Sequence, residues 1–413
     1  FTYVLASDGD LMEGIASEAG SLAGHLGLGK LVVLYADNHI TIEGNTDIAF
    51  TEDRCGRFAS FGWHVQHVAD GNDLEAVTAA IQAAREQTDQ PSLIAVRTHI
   101  GYGSPHKQDS ASAHGEPLGV DEVLLTKERL GWPAEPAFHI PPEALDHFRQ
   151  TVTRGKEWQN AWEEKLEAYG KAHPDLAAEL MGGSADLAPS TQTFMEGAGT
   201  FQSNERAGRN MHFGIREHSM GAILNGMAYH QGLIPYGATF LVFSDYMRPP
   251  MRLAAINDLP VIYVFTHDSI GMGEDGPTHQ PIEQLLCLRS VPNLFVVRPA
   301  DANETVAAWR VAVERQNGPV ALILTRQKLP ILDLEHYPGL MSGVSQGGYV
   351  LSEADGDGVP DLILVGTGSE VHLALESQKQ LASEGVRARV VSLPCWELFA
   401  TQSKEYREQV VMP

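Results

Sequence analysis

The segment that most limits how this chain can fold is Leu259–Phe265, LPVIYVF, an unbroken apolar run that stops at Thr266. It is too short for a stable helix and rich in β-branched and aromatic residues, which predicts a buried strand. Beyond it runs Thr266–Pro281, THDSIGMGEDGPTHQP, with two histidines, the acidic pair Glu274-Asp275 and several glycines and prolines. Parallel α/β proteins hold ligands in the crevice beyond the carboxyl ends of their strands. A strand emptying into such a loop predicts a site where His267, Asp275 and His279 converge on one small polar substrate, a set suited to proton transfer. The competing reading is a long surface loop.

The same order of elements recurs along the chain. Strand Tyr3–Ala6, polar Ser7-Asp8-Gly9-Asp10, a helix from Leu11 to His25 and strand Leu31–Ala36 are followed by a long loop, helix Leu74–Glu86 and strand Ser92–Thr98. This rhythm predicts right-handed βαβ crossovers and a parallel sheet. From Thr126 to Leu180 a Pro-rich stretch, Trp132–Pro142, precedes charged helices around Glu157–Tyr169, a linker or outer helical layer. A second α/β block is expected from Gly182 to Arg326, with strands near Val261–Phe265, Leu294–Val297 and Ala321–Thr325. A third begins near Gly347, where strand Leu362–Val365 leads into Gly366-Thr367-Gly368-Ser369-Glu370 and a helix. A chain of 413 residues supports such a division, here placed at 1–130, 131–180, 181–340 and 341–413.

The formal charge of −24 disfavours nucleic acid and acidic membranes as partners, and leaves any anionic substrate to a few local Arg and His residues. Cys55, Cys287 and Cys395 are too dispersed for a disulfide framework or a CxxC zinc site. No apolar run reaches membrane-spanning length and no signal peptide is visible, so a cytoplasmic protein is expected. Phe1 falls inside a strand pattern, and Val410-Val411-Met412-Pro413 closes just after an amphipathic helix, which reads as part of a longer protein.

Several further motifs carry chemistry. Two parallel strands joined by one helix bring their carboxyl ends together, so Asp8, Asn38 and the Ile40 carbonyl offer hard oxygen ligands to Mg²⁺ or Ca²⁺ on a diphosphate. Gly9 lets the backbone approach a phosphate, and the following helix start favours the anion. Two polar turns with an Asx cap are the alternative. Gly182–Ser190, GGSADLAPS, is either an interdomain loop or a close approach of backbone and hydroxyls to a ligand. Ile215-Arg216-Glu217-His218 opens a partly buried helix. Glu217, if buried, can share a proton with a basic nitrogen; otherwise the segment is a charge cluster at a helix start. Phe240, Phe243 and Tyr246 stand at helical spacing, which by itself reads as core. Arg326, ending strand Ala321–Thr325, can clamp a phosphate in the same crevice as His267. His114-Gly115 marks a third polar loop, and Gly366–Glu370 has the look of a dinucleotide loop without the rest of its fingerprint.

Taken in order, SDGDLMEGIASEAGSLAGHLGLGKL, GGSADLAPS, FGIREHSM, HDSIGMGEDGPTHQPIEQ, ILTRQ and LILVGTGSEV resemble the transketolase family, thiamine-diphosphate enzymes of sugar-phosphate metabolism. DGPTH also occurs in relatives such as deoxyxylulose-phosphate synthase, but EDGPTHQP and GGSADLAPS favour transketolase. The resemblance covers nearly the whole chain. It implies successive parallel-sheet α/β domains: part of a pyrophosphate domain, a pyrimidine domain and the start of a C-terminal domain. It implies a homodimer with composite sites that binds phosphorylated sugars. The implied reaction moves a two-carbon ketol unit reversibly from a ketose phosphate to an aldose phosphate through a thiamine diphosphate C2 carbanion.

By position, the resemblance makes Asp8, Asn38 and Ile40 the metal ligands, with Gly9 against the diphosphate. Glu217 matches the glutamate that bonds the aminopyrimidine N1′. Phe240 matches the ring stacked on the pyrimidine, with Phe243 and Tyr246 lining that pocket. Asp186 and His114 add cofactor contacts. His114, His267 and His279 match histidines that bond substrate oxygens or move protons, and Asp275 a carboxylate that reads a sugar hydroxyl. Ser190, His267 and Arg326 match the phosphate-holding group. Glu13 and Glu18 resemble interface glutamates that relay between the two sites.

The departures are a serine at Ser7 for the first glycine of GDG, an absent N-terminal half of the first domain, and an incomplete last domain. Between the domains, where His173-Pro174-Asp175-Leu176 runs almost directly into Gly182, a longer segment carrying a phosphate-binding arginine is expected. Two other activities remain open on these residues: a dihydroxyacetone-synthase-like reaction with formaldehyde, and a truncated non-catalytic relative that acts by dimerising.

Overall fold

The computed structural model describes residues 1–173, 179–272, 275–356 and 358–412; Glu274 and the stretch Pro174-Asp175-Leu176 lie outside the described residues. The chain divides into one unit of Phe1–Ala168 with Gln202–Asn204 and another of Tyr169–Phe201 with Glu205–Pro413.

In the first unit, β1 (Thr2–Ser7), β2 (Leu31–Asp37), β3 (His64–Val68) and β4 (Ser92–Arg97) form a parallel sheet in the order β1-β2-β4-β3. Strand side chains alternate between faces. Val33, Tyr35, Leu93 and Ala95 pack with Phe58 and Trp63, while Val32, Ile94 and Val96 pack on Ala80 and Ala84 of helix Leu74–Glu86. Both faces are covered over β2 and β4, as a parallel sheet requires, while Thr2–Leu5 of the edge strand β1 are exposed. Strand β3 falls in the expected long loop; its sequence HVQHV carries polar residues that mask the pattern.

The helix expected from Leu11 begins earlier, as Asp8–Met12, breaks at Glu13 and resumes as Gly14–His25. Ser7 and Asp10 form a capping box, so the polar SDGD segment is a helix start and not a turn. At the break, Arg57 donates to the Leu11 carbonyl at 2.8 Å and to the Ser17 hydroxyl at 2.6 Å, satisfying a carbonyl that the interrupted helix leaves open. The charged helices expected beyond the Pro-rich stretch are one helix, Pro142–Ala172, with no buried residue.

The second unit holds six parallel strands: β5 (Leu180–Ser184), β6 (Asn210–His212), β7 (Ile234–Phe240), β8 (Ile262–Thr266), β9 (Phe295–Val297) and β10 (Val320–Ile323). Their order is β9-β10-β8-β7-β5-β6, which puts the apolar run of β8 inside the sheet. Ile262–Phe265 are at most 1% exposed, which explains a strand with no polar alternation. A smaller sheet follows, β11 (Tyr349–Ser352), β12 (Leu362–Gly366) and β13 (Ala388–Ser392), in the order β11-β13-β12.

Two expectations change here. The glycine-rich start of GGSADLAPS is strand β5, and a Cβ at Gly182 would lie 1.8 Å from the Tyr236 carbonyl oxygen, one at Gly183 1.9 Å from that of Met211. These two glycines serve close approach between strands, not to a ligand. Phe240, Phe243 and Tyr246 share no helix: they end β7, close the 3₁₀ turn Leu241–Phe243 and open helix Ser244–Ile256.

Candidate active site

Strands β7 and β8 pair in register with Thr266 opposite Phe240, so their carboxyl ends finish level. The next residue, His267, adopts φ 61°, a left-handed conformation that costs a non-glycine residue about 1–3 kcal/mol. This turn stacks its buried imidazole on the Phe240 ring, with centroids 3.7 Å apart. Phe243 lies parallel to Phe240 at 6.0 Å, and His279 meets Phe243 edge-on at 5.3 Å. Tyr246, exposed, stands 6.2 Å from Phe243. The threonines preceding the two histidines fix their rings: Thr266 Oγ1 and Thr278 Oγ1 each lie 2.9 Å from the neighbouring Nδ1. Nε2 is then the second polar atom of each ring.

Burial pushes the His267 pKa below its ordinary value; Asp275 opposes this, Arg326 and His279 reinforce it, and Asp268 opposes it. Asp275, His279 and Arg326 are thus electrostatic neighbours of His267, with Asp275 and Arg326 exposed. Glu217 opens helix Glu217–His230, buried, where a carboxylate suits the helix dipole. The Thr239 hydroxyl, next to Phe240, points to its Oε1 at 3.5 Å. The buried carboxylate at the helix start therefore stands beside the strand end that carries the stacking ring. Asp186, φ 63° and exposed, lies two residues past β5, and Ser190 is exposed on the short helix Ala188–Thr191. The turn between them is held by Ser184, which donates to the Ala238 carbonyl at 2.9 Å and accepts from the Leu187 amide at 3.1 Å.

In the first unit, Asp8 is 2% exposed. Its Oδ1 accepts from the Tyr35 hydroxyl at 2.5 Å, and its Oδ2 from the amides of Asn38 at 3.3 Å and His39 at 3.2 Å. None of these donors is a cation, and a buried carboxylate held only by neutral donors suits a divalent ion. Asn38 Oδ1 accepts from the Ile40 amide at 2.8 Å, the Asx turn that the alternative to a metal site expects, and keeps a second lone pair. A Cβ at Gly9 would meet nothing nearer than Ser7 Oγ at 3.9 Å, so packing within the chain does not demand glycine there. Among the described residues no three of His, Cys, Asp and Glu gather as a metal group; the Asp8, Asn38 and Ile40 oxygens are a set of another kind. Glu13 is exposed at the helix break, Glu18 half-buried in the helix after it, and His114 exposed after the 3₁₀ turn Ala111–Ala113.

Sequence reasoning missed Tyr35. Its hydroxyl bridges Asp8 and Asp37, and burial, with Asp8 beside it, pushes its pKa up so that it stays a neutral donor. Mid-strand and 27 residues from Asp8, it leaves no local signal.

The chain is similar to known proteins over its whole length. The transketolase thiamine diphosphate binding domain matches residues 1–189, the transketolase pyrimidine binding domain 154–331, and the transketolase-like C-terminal domain 347–413. The whole chain aligns with transketolases of Aquifex aeolicus, 46% identical over 65% of that protein, and of Nostoc sp., 48% identical over 68%. Among solved structures, 99% of the chain superposes on 67% of a Pichia stipitis transketolase in complex with sedoheptulose 7-phosphate, TM-score 0.92 and 40% identity. A Leishmania mexicana transketolase gives 0.91 and 39% over the same shares. The chain therefore spans about two thirds of the length of the relatives it matches, and it belongs to the transketolase family.

Proposed function

We propose that the protein transfers a two-carbon ketol unit from a ketose phosphate to an aldose phosphate, with thiamine diphosphate and a divalent ion, Mg²⁺ or Ca²⁺. The observation that carries this is the corner of β7 and β8, where the Phe240 ring and His267 stack at adjacent strand ends and buried Glu217, at a helix start, accepts from the neighbouring Thr239 hydroxyl. When bound, thiamine diphosphate supplies the electron sink for cleaving and forming the carbon–carbon bond.

The chain's residues do the rest. Glu217 holds a proton at the aminopyrimidine N1′, and Phe240, with Phe243 and Tyr246, supplies the apolar wall against that ring. Asp8, Asn38 and the Ile40 carbonyl hold the metal, with Gly9 leaving room for a diphosphate oxygen. Asp186 and His114 add cofactor contacts. His114, His267 and His279 bind sugar oxygens or move protons, and Asp275 orients a hydroxyl. Ser190 and Arg326, with His267, hold the phosphate. Glu13 and Glu18 would face the partner subunit of a homodimer, whose sites each draw on both chains. No described helix is long and apolar enough to cross a membrane; we place the enzyme in the cytoplasm.

The test is transfer by the full-length protein from xylulose 5-phosphate to ribose 5-phosphate, with and without thiamine diphosphate and Mg²⁺. Cofactor-dependent appearance of a seven-carbon product supports the reading. Transfer to formaldehyde alone would move the assignment to the synthase, and cofactor binding without transfer to any acceptor would overturn it.

A further inference from the structure

The glycine-rich turn Gly366-Thr367-Gly368-Ser369-Glu370 is the one sequence motif that the proposed reaction leaves without a task. In the structure it is shaped around an arginine. Arg298, one residue past β9 and with a side chain only 5% exposed, donates Nη1 to the Thr367 carbonyl at 2.8 Å and pairs with Glu370. The Gly368 amide donates to the Arg298 carbonyl at 3.0 Å, and the Arg298 amide to the Pro394 carbonyl at 2.8 Å. Gly368 has φ 60°, and a Cβ there would come within 2.6 Å of Arg298 Nε. A guanidinium lies against the turn where a nucleotide loop would cradle a phosphate.

The other end of the same guanidinium reaches the candidate site. Arg298 Nε donates to Asp268 Oδ2 at 2.7 Å, and the Asp268 side chain is wholly buried. Asp268 Oδ1 makes no hydrogen bond among the described residues, so the bond to Arg298 is what holds this carboxylate. Asp268 directly follows His267, whose left-handed backbone persists only where its surroundings over-determine it. The ladder of β8 and the Thr266 hydroxyl fix one side of that turn; the ion pair fixes the other.

We propose that Arg298 is a positioning residue of the sugar-phosphate site, tying the His267 turn to the Gly366–Glu370 turn so that the smaller sheet sets substrate affinity in a site carried by the larger one. This rests on the ketol-transfer reading. The pair touches no reacting atom; it acts by holding the imidazole in place.

The test uses the full-length protein and the variants Glu370→Gln, Asp268→Asn and Arg298→Lys. Three quantities are read: KM and kcat with xylulose 5-phosphate as donor, calorimetric affinity for thiamine diphosphate, and the melting temperature. Misplacement of a positioning group by about an ångström can cost up to about 100-fold, so Asp268→Asn is expected to raise KM by about tenfold or more, with kcat changed by less than about threefold. Glu370→Gln, at a half-exposed side chain, should raise KM by about threefold, and cofactor affinity should not move in either. Arg298→Lys, which keeps the charge but cannot span both turns, should fall between them. A lower melting temperature with unchanged KM would make the pair a structural cross-link and overturn the proposal. If Asp268→Asn fails to fold, Glu370→Gln decides, because an unchanged KM there overturns it equally. A wild-type protein without ketol transfer refutes the functional reading instead, and calorimetric affinity of the variants for xylulose 5-phosphate then decides the positioning role.

Discussion

Replacing Asp8 by Asn is expected to separate folding from the proposed metal binding, with magnitudes set by what the carboxylate touches. The carboxylate is buried and takes three neutral hydrogen bonds, from Tyr35, Asn38 and His39. An asparagine of the same shape can turn its oxygen to the two amides and its nitrogen to the Tyr35 oxygen. The Tyr35 proton then goes to Asp37 Oδ1, already 2.9 Å away. One hydrogen bond to a charged acceptor is lost and one buried charge is removed; the two effects are each about 1–3 kcal/mol and opposite in sign. Folding stability should therefore change by roughly 1 kcal/mol or less. The metal has no such compensation. Losing one member of a desolvated charge pair costs about 2–5 kcal/mol, which corresponds to a roughly 30- to 5,000-fold weaker Kd. Calorimetry of thiamine diphosphate with Mg²⁺ on the full-length variant, beside a denaturant titration of the apo protein, reads both. A Kd within about threefold of wild type would refute the metal role of Asp8. A collapse of apo stability would refute the hydrogen-bond argument.

Further outcomes follow from the same geometry. Glu217→Gln keeps shape and burial but cannot take up a proton, so ketol transfer should fall by about 100-fold or more while cofactor affinity moves less than about tenfold; parallel losses would point to packing alone. Phe240→Ala removes a buried ring stacked on His267 and should destabilise by about 3–5 kcal/mol in a urea titration, with donor KM raised as His267 loses its support. The depressed His267 pKa predicts a sign as well. Below the ordinary value of 6.5 the unfolded chain takes up a proton that the folded chain refuses, so this contribution to stability is present above pH 6.5 and is lost as pH falls toward the folded value. His267→Gln should flatten the stability profile over that window; a profile unchanged there would contradict the burial argument.

What could be read from the sequence follows from where the physical information lies. The run LPVIYVF announced β8 because a strand buried on both faces admits no polar residue, and the polar loop after it pointed to a candidate site at that strand end. Strand β5 was illegible as a strand because its two glycines are required by the neighbouring carbonyls of Tyr236 and Met211, contacts made across the sheet. The spacing of Phe240, Phe243 and Tyr246 suggested a helix, yet the three are brought together by a strand, a turn and a helix in succession. The first helix could have been extended to Asp8 from the capping box Ser7–Asp10 alone. Tyr35 and the pair Asp268–Arg298 were out of reach, since each acts only through a partner about thirty residues away.

One device recurs at three strand ends, one in the first unit and two in the second. His39, Asp186 and His267 lie one or two residues beyond β2, β5 and β8, and all have φ between 61° and 65°. A left-handed residue turns the chain sharply, which keeps the following backbone near the mouth of the crevice. Glycine would do this with less strain but would bring no side chain. At His267 the residue's own ring stacks on Phe240, and at His39 the amide turns to Asp8 while Nε2 lies 3.1 Å from Asp37. Because such backbone strain persists only where contacts outweigh it, its recurrence at strand ends marks the positions where geometry has been kept at the expense of stability. Among the described residues five further non-glycine positions, Asp109, Gln192, Gln231, Asp258 and Asn293, share this conformation in other loops and caps, so what sets the three strand ends apart is the side chain each one carries there.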